Sequence, residues 1–110
     1  MAREVPKNHC RIPLGGGDDG YVMEDFRLLR EYADRRSEQA FSELVRRHTD
    51  FVYSTAWRLV GDSQLAEDVT QMVFIRLAQK AGSLHPGTVV TGWLYRTAQF
   101  VAQAARRSDW

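Results

Sequence analysis

Every apolar stretch beyond residue 24 returns at three- and four-residue intervals, and no segment alternates convincingly with period two. That periodicity restricts the chain to packed helices. The clearest case carries Phe41, Leu44, Val45, His48, Val52, Ala56 and Leu59 on one stripe, with Ser37 placed to cap its start and Gly61 to end it. Asp62 or Ser63 then caps another helix, whose inward stripe is Ala66, Val69, Val73, Phe74 and Leu77, and Gly82 is expected to close it. Phe26, Leu29 and Tyr32/Ala33 mark a short earlier helix. Residues 83–91, with Pro86 and Gly87, form a connection longer than two packed helices require. A last helix opens within 88–91 and turns Leu94, Ala98, Val101 and Ala105 inward. The β-branched cluster Thr88-Val89-Val90-Thr91 is too short and isolated to support a sheet. The expected fold is all-α: a compact irregular bundle of three main helices plus a short leading helix.

A chain of 110 residues has the size of one domain with a modest core. Residues 1–22 mix charges, two prolines and a glycine-rich run at 15–17, and bury too little apolar surface to offset their ordering entropy. They are expected to be a disordered leader, with the helical domain at 23–110. The glycine run lacks the preceding strand and following Lys of a phosphate cradle. The single Cys10 can form no internal disulfide, and with His9 it lacks the second ligand pair of a structural metal site. With neither a signal peptide nor an apolar run of about 20 residues, the expected location is the cytoplasm, with no membrane partner. No grouping of nucleophile, base and orienting residue stands out, so neither an enzyme nor a cofactor is expected.

Two outward faces carry the chemistry. Residues 1–75 hold 10 Lys/Arg against 13 Asp/Glu, whereas residues 76–110 hold 5 Lys/Arg against Asp109 alone. The acidic part includes Glu67, Asp68, Gln71 and Met72, which, with Arg76, lie outside the third apolar stripe. Carboxylate, amide and exposed thioether suit docking onto a basic amphipathic helix. Carboxylates in a first helical turn also complement the helix dipole, and Glu67 and Asp68 fit that role as well. On the last helix, Trp93, Arg96, Phe100, Gln103 and Arg107 share a face distinct from the inward stripe. Rings interleaved with Arg and amide groups suit single-stranded nucleic acid, rings stacking on bases and Arg neutralising phosphate. Lys80, Thr97 and Arg106 complete this candidate DNA-binding set. The same two aromatic rings would also serve as a second core seam. His48 falls on a core stripe and is expected to be packed and hydrogen-bonded.

Three motifs at matching spacing, A-F-S-E-L-V-R-R-H, A-E-D-V-T-Q-M-V-F-I-R-L and G-W-L-Y-R-T-A, resemble region 2 of bacterial RNA polymerase sigma factors of the extracytoplasmic-function group. The resemblance covers roughly residues 25–107. It implies an all-helical domain that docks on the clamp helices of the polymerase largest subunit and captures the non-template strand of the minus-ten promoter element. Polymerase core and promoter DNA are the implied partners, with an anti-sigma factor as a further one. Asp68 and Gln71 match polar docking positions, while Met72 stands where the family frequently has Glu. The connection at 82–91 resembles the loop that accepts a flipped base, and the helix from Gly92 resembles the strand-separating helix. Housekeeping relatives carry two consecutive Trp where this chain has Trp93 and Leu94. The group often has Arg-Asn where this chain has Gln99 and Phe100, so recognition through that Asn is not carried over. Full sigma factors continue into a helix-turn-helix domain beyond the point matching Trp110, so this stretch is not expected to direct promoter-specific initiation alone. The competing reading is a helical regulator that binds polymerase or an anti-sigma partner without reading DNA.

Overall fold

In the computed structural model, residues 18–107 are described, with side chains from 24 onward. His9, Cys10, the glycine run and the rest of the expected leader up to residue 17 lie outside the described residues, as do 108–110. Four α-helices follow in order: α1 (Asp18–Arg35), α2 (Glu38–Val60), α3 (Ser63–Lys80) and α4 (Val90–Arg106). The all-α bundle is as expected. The leading helix is longer than its apolar spacing suggested: at 18 residues it equals α3, and it begins ahead of the expected boundary at residue 23.

Local chemistry explains most boundaries. Ser37 takes an extended conformation, and its hydroxyl accepts a hydrogen bond from the Ala40 amide at 3.1 Å, satisfying one of the unpaired donors at the start of α2. Gly61 ends that helix in the left-handed region (φ 67°), its N–H donating to the Trp57 carbonyl at 2.8 Å. Asp62, rather than Ser63, caps α3, its carboxylate accepting from the Leu65 amide at 3.0 Å. Between α1 and α2, Arg36 holds a positive φ of 55° and donates its N–H to the Tyr32 carbonyl. Gly82 does not close α3 as expected. The chain passes from Lys80 into a 3-10 turn, Ala81–Ser83, in which Gly82 has no positive φ. That turn packs against α1, with Ala81 buried, so a tertiary contact replaces the glycine cap. The connection then turns at Pro86–Gly87, with the Thr88 amide bonded to the His85 carbonyl. No side chain caps α4; its threonines at 88 and 91 do not serve, and the Trp93 amide bonds to the Val89 carbonyl.

α2 is the hub and packs against each of the other helices. Leu44, Val52 and Ala56 from it meet Ala66, Val69, Val73 and Leu77 of α3 in one buried cluster. Leu94, Ala98, Val101 and Ala105 of α4 and Leu28 and Leu29 of α1 complete the cluster. Phe41, Val45 and Leu59 sit half-buried at its margin. The inward stripes expected for α3 and α4 are buried throughout. Among the described residues, no buried side-chain polar atom lacks a hydrogen-bond partner, and no helix is long and apolar enough to cross a membrane.

Among the described residues Asp25, His48, Ser54, Thr55 and Thr70 are buried polar side chains, and the first two join α1 to α2. Asp25 is 1% exposed, and its two oxygens are divided between α2 residues: Oδ1 accepts from Arg47 Nε and Oδ2 pairs with His48 Nε2, each at 2.9 Å. His48 is thus packed and hydrogen-bonded as expected, and its partner fastens α1 to α2. Nearby, the Tyr32 and Phe41 rings meet with centroids 4.7 Å apart, adding an apolar contact across the same helix pair.

Candidate functional site

The two faces anticipated on α3 and α4 are side by side rather than independent. α3 and α4 pack together, and an open groove between them is lined by Arg76, Lys80, Trp93, Arg96, Thr97 and Phe100. Trp93 is half-buried against the core while also lining the groove. Phe100 is 61% exposed, which removes it from any core seam. The Arg76 guanidinium lies 5.5 Å from the Phe100 ring centroid, within cation–π range. Arg76, anticipated with the docking residues of α3, is thereby grouped with the basic and aromatic residues of α4. Gln103, Arg106 and Arg107 are exposed farther along α4, beyond the groove lining.

On the outer side of α3, Asp68, Gln71 and Met72 line a second groove with Ile75, which is 50% exposed. Glu67 and Gln71 line a third, between α2 and α3, with Thr49, Tyr53 and Thr70. Gln71 therefore joins two shallow depressions. Ile75 was not anticipated, although its spacing contained the signal: it lies three residues beyond Met72 and four beyond Gln71, off the inward stripe. Glu67 and Asp68 sit past the first turn of a helix that begins at Ser63, and that first turn carries no acidic residue. The dipole effect falls off within the first turn, so it gives little account of these carboxylates.

The three grooves measure about 240, 200 and 230 Å³, below the roughly 300–1,000 Å³ of small-molecule pockets. Their open shape suits an extended partner. Among the described residues no group of three or more His, Cys, Asp or Glu is arranged to hold a metal ion. Glu24 and Glu43, neither of which lines a groove, are held below the usual carboxylate range, mainly by hydrogen bonds from Arg27 and Arg46.

A family profile described as sigma-70 region 2 matches residues 44–110. The chain belongs to the sigma-70 region 2 family. The matched span takes in most of α2, all of α3 and α4, and every residue of the groove between the last two. The chain is 42% identical over 76 residues to the ECF RNA polymerase sigma factor SigE of Mycolicibacterium smegmatis, covering 67% of this chain and 29% of that protein. It is 34% identical over 71 residues to the RNA polymerase sigma factor CarQ of Myxococcus xanthus, covering 64% and 41%. Against the ECF RNA polymerase sigma factor SigW of Bacillus subtilis it is 33% identical over 61 residues, covering 56% and 33%. The chain thus spans under half the length of these sigma-70 region 2 relatives. No solved structure gives a significant match.

Proposed function

We propose that this sigma-70 region 2 chain acts in transcription initiation, docking on RNA polymerase through the outer face of α3 and holding single-stranded promoter DNA along the α3–α4 groove. The observation that carries this reading is the groove itself: three cations and two aromatic rings from two helices converge on one open depression. The cations supply phosphate neutralisation and the rings supply stacking, the combination on which single-strand binding rests. The docking half rests on Asp68, Gln71, Met72 and Ile75, a carboxylate–amide–apolar face suited to an amphipathic basic helix. The clamp helices of the polymerase largest subunit are the partner this implies, and the cytoplasm is the place of work.

The test uses the full chain assembled with bacterial core polymerase and fluorescent promoter oligonucleotides. Non-template single strand is expected to bind in preference to the same sequence as duplex. The log–log slope of affinity against salt should be about −0.7 per phosphate neutralised. Gln71→Ala is expected to weaken assembly with the core by about 1–2 kcal/mol without unfolding the domain, as truncating a contributing interface residue commonly does. Assembly without any single-strand preference would leave a purely protein-binding regulator in place of the DNA-holding reading.

A further inference from the structure

Phe100 and Arg76 raise a question that phosphate neutralisation alone does not answer. A large apolar ring that is 61% exposed has a cation from the neighbouring helix beside it: Arg76 projects from α3 and Phe100 from α4, and the guanidinium stands 5.5 Å from the ring centroid. A guanidinium that stacks on a ring limits the rotamers the ring samples, and a ring already ordered loses less entropy when a base stacks on it. Both side chains line the same groove as Lys80 and Arg96, where a strand's phosphates would be neutralised. The pair therefore sets an exposed ring beside a cation, in a groove that also holds Lys80 and Arg96.

We propose that Arg76 is a positioning residue for Phe100, the two forming one platform on which the face of an unpaired nucleobase stacks. This rests on the single-strand reading above, in which Arg76 already lines the groove, and goes further by giving Arg76 a role that acts through Phe100. It also states how the base is taken. A ring and a guanidinium plane meet the π-face every base has, so this position contributes affinity with little discrimination among bases. Sequence reading by hydrogen bonds to base edges falls to other residues.

The experiment measures binding of the full chain, with core polymerase, to a single-stranded oligonucleotide carrying 2-aminopurine, following both anisotropy and quenching of the probe on stacking. Phe100→Ala is expected to weaken binding about five-fold or more and to abolish the quenching, with Phe100→Trp restoring both. Arg76→Ala should reduce quenching and affinity in the wild-type background but cost much less affinity when Phe100→Ala is already present. Arg76→Lys, which keeps the charge without the planar group, should restore the salt slope but not the quenching. Additive losses from Arg76→Ala and Phe100→Ala, or full recovery of quenching by Arg76→Lys, would overturn the platform while leaving single-strand binding intact. A loss of core assembly on Arg76→Ala in the absence of DNA would return Arg76 to the docking face. Absence of single-strand binding by the wild type would remove the groove's function and the platform together.

Discussion

Replacing Asp25 by Ala tests the attachment of α1 more directly than any core truncation. The carboxylate is 1% exposed and receives one hydrogen bond from Arg47 and one shared with His48, both at 2.9 Å. Hydrogen bonds involving a charged group contribute about 1.5–3 kcal/mol each, and removing one partner of a buried ion pair typically costs about 3–5 kcal/mol. The His48 side chain is only 3% exposed and gains little from water when the carboxylate is gone, whereas Arg47, at 17%, rehydrates in part. The expected loss is therefore about 3–4 kcal/mol, a large share of the ~5–15 kcal/mol that holds a domain folded. At about 4–8 °C per kcal/mol for a domain of this size, the midpoint should fall by roughly 12–30 °C. Asp25→Asn keeps the shape and an acceptor for Arg47 but loses the charge, so about 1–2 kcal/mol is expected.

Urea unfolding followed by far-UV circular dichroism measures both values. Because α1 also packs on the 3-10 turn Ala81–Ser83, which leads into the connection before α4, its release should loosen the groove. Hydrogen exchange should then show α1 and that turn opening together in Asp25→Ala, below the cost of global unfolding. If Asp25→Ala costs less than about 1 kcal/mol, or costs no more than Asp25→Asn, the buried carboxylate is not what fastens α1, and the magnitudes above are wrong.

Leu94, fully buried at the α4 seam, should cost about 2–5 kcal/mol as Leu94→Ala in the same urea titration; under 1 kcal/mol would mean the surroundings collapse to fill the space. At Arg36, where φ is 55°, Arg36→Val should destabilise by about 1–2 kcal/mol because a β-branched side chain does not tolerate that region. Arg36→Gly should stay within about 0.5 kcal/mol of wild type, since relief of backbone strain offsets the lost contact with the Tyr32 ring. Thermal melts of the two variants separate these outcomes, and equal melts would show the backbone is unstrained. Glu43 is held below its ordinary 4.5, chiefly by the hydrogen bond from Arg46, so the stability it adds is present above the unfolded value and lost as pH falls through the folded one. Wild type should therefore exceed Glu43→Gln slightly at pH 6 and converge with it towards pH 3; a gap independent of pH would contradict the assignment.

Helix ends and inward faces were legible in the chain because their causes are local. Ser37, Gly61 and Asp62 each satisfy or terminate backbone groups within four residues of themselves, and the stripes from Ala66 to Leu77 and from Leu94 to Ala105 follow from a fixed helical period. The aromatic and basic residues of α4 were legible for the same reason, since their spacing alone puts them on one face. Other features depended on partners distant in sequence. Asp25 reads as an ordinary solvated helix carboxylate until α2 brings Arg47 and His48, 22 and 23 residues later, against it. Gly82 has the composition of a helix terminator, yet the chain keeps turning there because Ala81 is buried against α1. Arg76 lies four residues beyond Met72 and was grouped with it by helical spacing. Only the packing of α4 on α3 brings Phe100 beneath its guanidinium. A helical repeat orders side chains around one axis, but which face of that axis meets a neighbour depends on how two helices pack.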